Sequence, residues 1–194
     1  MTLTFEPEEL KAHRMTERSL VLTAGTLHEP DLLLDAKEKA RGKENITEIA
    51  EILKDLYADL RMRRIEDEVL RPMAGIRSFA EYHAKQAGLH ESVVLDLNQR
   101  IANYDLGLAM ILCGIDERGH AHAVQVVNPG TWRSFDSLSY CCGGMGSRHT
   151  DNVFAFYQYT RSFTECEALY ITFEAKPEST DSLSIRRRMV RGIS

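Results

Sequence analysis

The sequence predicts an α+β fold, with helices packed against antiparallel sheet. Three observations predict it. An early block of segments carries apolar residues at helical spacing; a run of short apolar segments divided by turn residues covers residues 106–142; a second helical block follows that run.

Residues 19–24 (SLVLTA) read as a short buried strand closed by Gly25. Pro30 sits where a helix takes its first residue, and the segment DLLLDAKEKA follows, ending at Gly42. Asn45 caps the next helix, in which Ile46, Ile49, Ala50, Leu53, Leu56, Tyr57 and Leu60 share one face. That helix is expected to run through RMRRIEDE and to stop before Pro72, which cannot donate a helical hydrogen bond. Ser78 with Glu81 forms a capping box for a short helix through Lys85. Residues 91–103 form a further helix, with Val94, Leu97 and Ile101 on its buried side. Residues 106–115 are a continuous apolar strand, residues 116–119 a turn, and residues 121–127 a second strand. Pro129-Gly130 turns the chain, and residues 138–142 make a third strand ending in a glycine cluster. Helices over 149–159 and 164–176 follow, the second capped by Thr164 with Glu167, and residues 182–190 close the chain as a strand.

Composition narrows the class of function. The 194 residues are 43% hydrophobic and 27% charged, ordinary values for a globular protein and enough chain for one domain over residues 1–194. A net charge of −5 argues against nucleic acid as a partner. The basic run Arg186-Arg187-Arg188 reads as a solvated edge. No apolar stretch reaches membrane-spanning length and the acidic N-terminus is unlike a signal peptide, so a cytoplasmic protein is expected. Cys113, Cys141, Cys142 and Cys166 lack CxxC spacing and read as small apolar residues, with Cys141 and Cys142 on opposite faces of a strand.

The segment ILCGIDERGHAHAVQVVNPGTWRSFDSLSYCCGGMGS, residues 111–147, carries Gly114, Asp116 and Gly119, then Pro129-Gly130, then Gly144-Met145-Gly146-Ser147. It resembles the central hairpin of proteasome-type N-terminal-nucleophile hydrolases, where a strand runs into Gly-x-Asp-x-x-Gly, a second leads to Pro-Gly, and a third ends in Gly-Ser-Gly-Ser. KAHRMTERSLVLTAG (residues 11–25) is similar to the family's stretch from its catalytic lysine to the Ala-Gly before the first helix, and TECEALYITFEAK to the helix before its late strands. The likeness covers residues 10–185 in order, with stand-alone bacterial relatives of the β-type subunit closer than eukaryotic core subunits. It implies a four-layer αββα sandwich of two packed antiparallel sheets, a threonine-type peptidase or amidohydrolase, no cofactor, a peptide or protein substrate, and a homo-oligomer or ring assembly.

The resemblance also implies the site. Lys11 matches the lysine whose ammonium favours a deprotonated hydroxyl nucleophile. Gly25 matches the glycine whose N–H forms the oxyanion hole, and Thr23 and Leu27 match positions lining the specificity pocket. Removal of Met1 would make Thr2 an N-terminal nucleophile. Two departures count against activity. In the family a hairpin bearing the nucleophile precedes the lysine, and here only MTLTFEPEEL does; Met145 replaces a serine that assists the catalytic centre, and a thioether cannot donate its hydrogen bond. The expectation is a domain lacking its first hairpin, short of the last strand as well, and inactive as this chain alone, or else a non-catalytic ring-forming subunit. Near the end, Asp181 and Ser182 are possible matches to a family Asp and Ser beside the active site.

Outside the resemblance, His120-x-His122 places both rings on one face of a strand, a metal-binding spacing, but no third ligand stands beside it and no metal is expected. His149 has no support beyond its proximity to the glycine cluster, and Ser147 reads as a helix N-cap.

Overall fold

In the computed structural model, which describes residues 11–25, 30–144 and 146–175, Ala12–Arg14 (β1) and Ser19–Gly25 (β2) form an antiparallel hairpin. β2 then pairs with Leu108–Ile115 (β3), β3 with Ala121–Val127 (β4), and β4 with Thr131–Ser134 (β5), every pair antiparallel. The result is one five-stranded sheet in the order β1-β2-β3-β4-β5. The α+β class is therefore as expected, and the described residues contain this one sheet. The chain divides into two compact units at Asp136/Ser137, and the sheet belongs to the first.

Directly opposed residues share a face, so the register sorts the side chains. Val21 opposes Leu112, which opposes Val124, while Thr23 opposes Met110, which opposes Val126. This face is covered by Pro30–Lys39 (α1) and Ile46–Ile65 (α2). Val21, Met110, Leu112 and Val126 are fully buried there with Ile49, Leu53 and Tyr57 of α2, each such side chain worth roughly 1.5–3 kcal/mol of burial. The helical stripe read from α2 faces the sheet as expected. On the other face Leu20 is 40% exposed, Leu22 37% and Ile115 49%, while Ile111, opposite Leu22, is buried.

Polar bonds anchor α2 at three heights. Trp132 Nε1 of β5 donates to Glu51 at 2.8 Å, and the buried Tyr57 hydroxyl donates to the Leu108 carbonyl at 2.9 Å. Arg61 donates to the Ile101 carbonyl at 2.8 Å, and to the Tyr104 carbonyl and Asn128 Oδ1 at 3.2 Å each. It thereby satisfies the C-terminal carbonyls of Glu91–Asn103 (α5). The Pro129-Gly130 turn packs on the same helix: Gly130 has φ +111°, and a Cβ there would lie 3.1 Å from that of Ala58.

The N-cap of α2 is as the sequence indicated, with Asn45 Oδ1 accepting from the Thr47 N–H at 2.8 Å. Asn45→Ala is expected to lower the unfolding free energy of the first unit by about 1 kcal/mol, measurable by urea denaturation.

The far end of α2 departs from expectation. The helix does not stop before Pro72 but passes through a π-helical turn, Glu66–Leu70, into a short helix, Arg71–Ala74 (α3). The wider turn bonds Arg71 N–H to Glu66 O, and so carries the chain past the donor that proline lacks. Gly75, at φ +63°, ends it. Phe79–Lys85 (α4) follows its expected Ser78 cap, and with α5 it closes a second small core of Ile65, Leu70, Ile76, Tyr82 and Leu97.

Three further readings are corrected. β1 was not foreseen, because three residues carry no alternation to detect. The third strand of the meander is β5, not residues 138–142: the turn at Pro129-Gly130 is so tight that Thr131 already opposes Val127. Cys141 and Cys142 therefore do not lie on a strand. Finally, Ser147 is the first helical residue rather than the cap, with Gly146 at the N-cap position.

The second unit packs Ser147–Phe156 (α6) against Glu165–Ala175 (α7). Phe154 is buried with Ile171 and Ala175, stacks on Tyr140 at 4.7 Å between ring centroids, and meets Tyr159 edge-on. Thr164 and Glu167 cap α7 reciprocally, as expected from the sequence. The strand expected over residues 182–190, including Asp181 and Ser182 at its start, lies outside the described residues, as does Met145.

Candidate functional site

Of the residues assigned to a site by the sequence, the structure describes Lys11, Thr23 and Gly25; Thr2 and Leu27 lie outside the described residues. Those three come together at one end of the sheet. The Thr23 N–H donates to the Lys11 carbonyl at 2.8 Å, which extends the β1–β2 register by one step and sets Lys11 opposite Thr23. Gly25 is two residues further along β2, on the same face as Thr23. Lys11 is exposed and Thr23 half-buried on the helix-covered side.

Gly25 has an architectural reason to be glycine. Its φ is +131°, and it opposes Leu108. A Cβ added there would overlap the Gly107 carbonyl oxygen and lie 2.9 Å from its carbon and 3.2 Å from Leu108 Cα. The close approach of two strands, not only a ligand, thus demands the residue.

A different group gathers at the opposite end of the sheet, four residues or about 13 Å back along β2 from Thr23. There Ser19 opposes Gly114 and Gly114 opposes His122. His122 Nδ1 lies 2.7 Å from Asp136 Oδ2, and its Nε2 lies 3.4 Å from Asp116 Oδ2. Asp116 opens the β3–β4 turn and accepts from the His120 N–H at 2.8 Å and the Arg118 N–H at 2.9 Å through its other oxygen. The His120 N–H first, then the His122 ring and the Arg118 N–H, lower the carboxyl pKa to about 2. Asp136 accepts from the Ala123 N–H at 2.9 Å, and its carboxyl is lowered although burial alone would raise it. The Asp136 bond, then Asp116, pushes the His122 pKa up.

The His120-x-His122 pair is not arranged as expected. β4 begins at Ala121, so His120 belongs to the turn, its Nδ1 3.4 Å from Asp116. Among the described residues no cluster of three or more His, Cys, Asp or Glu side chains is arranged to hold a metal ion. No family model matches this chain, and no curated protein does.

Two cavities open near the His122 end. One of 790 Å³ is bounded by the β1–β2 turn at Met15 and Arg18 and by Leu34, Lys37 and Arg41 around the end of α1. The other, of 360 Å³, lies between Asn45 and Thr47 at the start of α2 and Asp116, Arg118 and His122. Glu44 borders both. Neither is lined by Lys11, Thr23 or Gly25.

The four cysteines form no disulfide. Burial pushes the Cys113 thiol up, and burial with the neighbouring Asp151 takes Cys142 to about 12, the reverse of an activated thiolate. No helix among the described residues is long and apolar enough to cross a membrane.

Asp136 was missed by sequence reasoning. The signal lies in the β4–β5 register, since Val124 opposite Ser134 places residue 136 across from His122. With the third strand assigned to residues 138–142, that register could not be drawn.

Proposed function

We propose that this chain is a proteasome-type N-terminal-nucleophile hydrolase domain of the threonine amide-hydrolase class. In this reading the five-stranded sheet is one layer of an αββα sandwich. The observation that carries it is the meeting of Lys11, Thr23 and Gly25 at one end of a meander covered by helices on one face and left apolar on the other. The apolar face is where a second sheet would pack. Where Met1 is removed, Thr2 would be the nucleophile: its hydroxyl gives a proton to its own α-amine and attacks the amide carbon, while the Lys11 ammonium stabilises the oxygen. The C–N bond breaks as the amine leaves with that proton, giving an acyl-enzyme that water hydrolyses. Peptides or unfolded protein segments are the substrate class, in the cytoplasm.

The test is a covalent one. Purified protein whose N-terminus has been verified as Thr2 is incubated with a peptide epoxyketone, which bonds to an N-terminal hydroxyl and amine together. The expected result is an intact-mass increase of one probe, lost in Thr2→Ala and sharply slowed in Lys11→Ala. An unmodified mass after prolonged incubation with excess probe overturns the hydrolase reading.

A second reading, a non-catalytic subunit that keeps the fold for ring assembly, is favoured by the exposed Leu20, Leu22 and Ile115. It expects a defined oligomer by sedimentation together with an unmodified mass. A stable monomer at micromolar concentration counts against it.

A further inference from the structure

A neutral imidazole has one N–H to donate, and an imidazolium has two. His122 has a carboxylate at each nitrogen: Asp136 Oδ2 at 2.7 Å from Nδ1 and Asp116 Oδ2 at 3.4 Å from Nε2. Both carboxylates are held by backbone N–H groups, Asp116 by Arg118 and His120, and Asp136 by Ala123. Neither carboxylate therefore needs a proton of its own. The ring is only partly exposed, at 29% for its side chain, so the two charges are not fully screened by solvent.

These three side chains come from separate pieces of chain. Asp116 belongs to the β3–β4 turn, His122 to the start of β4, and Asp136 to the segment leaving β5, which is also the last residue of the first unit. We propose that His122 is a proton-operated clasp, whose imidazolium bridges Asp116 and Asp136 and ties the β3–β4 turn to the end of β5. When the proton leaves to solvent, one N–H remains. The shorter contact to Asp136 keeps it, and Asp116 faces a lone pair instead of a donor.

Other charged groups stand near the ring among the described residues. Glu117 and Arg118 flank Asp116 on the turn, His120 contacts Asp116 at 3.4 Å from the exposed side, and Glu44, ahead of α2, faces the group across the 360 Å³ cavity. Opening the clasp therefore adds negative character to that cavity wall. His122 is raised above its ordinary 6.5, so its contribution is complete below pH 6.5 and disappears as pH rises through the folded value. Asp116 and Asp136 are lowered, so theirs is present above the ordinary carboxylate value of 3.8 and disappears as pH falls, toward about 2 for Asp116. The clasp is closed between those limits.

The experiment is an NMR titration of the histidine ring resonances in the full chain, with His122→Gln assigning the signal. His122 is expected to titrate above 6.5, with both ring nitrogens protonated at pH 6. Asp136→Asn and Asp116→Asn should each lower that value, Asp136→Asn by more, because its contact is shorter. Amide exchange at Ala123, corrected for its intrinsic pH dependence, should accelerate as His122 loses its proton. Should Asp136→Asn fail to fold, Asp116→Asn on the exposed turn still tests the Nε2 half. A His122 that titrates at or below 6.5, or one unmoved by Asp116→Asn, overturns the clasp.

Discussion

Gly25→Ala is expected to destabilise the first unit by roughly 3–5 kcal/mol, the sum of backbone strain and overpacking at one position. The substitution meets two obstacles together. At φ +131° an L side chain is strained, and the new Cβ overlaps the Gly107 carbonyl oxygen, a backbone atom that cannot rotate away. Relief requires β2 and β3 to part at the Gly25–Leu108 pair. Gly119→Ala separates the two terms. Gly119 has φ +84° and nothing within 4 Å of an added Cβ, so it should lose only the strain of the left-handed conformation, roughly 1–2 kcal/mol. Urea denaturation of both variants checks this, and equal losses would show that the strands can separate at Gly25 without cost. The result bears on function as well. A loss of activity in Gly25→Ala would report a broken sheet before it reported an oxyanion hole. The site is therefore better probed at Lys11, which is exposed and whose side chain can be shortened without a packing defect.

The parts of this fold that were legible in the sequence are those fixed by short-range chemistry. The face of α2, its Asn45 cap, the Ser78 and Thr164 caps, and the span of β4 follow from spacing and from side chains that satisfy orphan N–H groups nearby. What escaped depends on partners distant in sequence. β1 is a strand because β2 offers it a ladder, and AHR has no pattern that demands one. β5 was displaced because TWRS is short and the tight turn before it, not its own composition, sets its register. The helix beyond Leu60 passes Pro72 because a π turn absorbs the missing donor, a solution that propensity does not anticipate.

The candidate site divides along the same line. The resemblance singled out Lys11 and Thr23 separately, and only the pairing of β1 with β2 sets them opposite each other. The Asp116–His122–Asp136 group had two members in view, one as a turn residue and one as half of a histidine pair. Only the register of a correctly placed β5 brings in the third, and with it a carboxylate at each nitrogen of the His122 ring.

Tyr57 is where packing and hydrogen bonding in the first unit can be weighed separately. Its ring is fully buried between α2 and the sheet, and its hydroxyl donates to the Leu108 carbonyl at 2.9 Å. Tyr57→Ala is expected to cost about 3–5 kcal/mol, because it removes an aromatic ring from a close-packed core and leaves a cavity. Tyr57→Phe keeps the volume and should cost about 1 kcal/mol, the net worth of the hydrogen bond. The two variants also differ at alkaline pH. Burial, with Asp105 nearby, raises the Tyr57 hydroxyl to about 12. The unfolded chain loses that proton near pH 10 while the folded one keeps it, so stability falls as pH rises from 10 to 12. Tyr57→Phe should flatten this decline without abolishing it, since Tyr104, raised to about 12 by burial and its bond to Glu68, contributes in the same window. Unfolding curves at pH 8 and pH 11 for wild type and Tyr57→Phe make the comparison. An identical alkaline loss in both would mean that the Tyr57 hydroxyl is not held in the dry, bonded position beside Leu108 from which the sheet and α2 are joined.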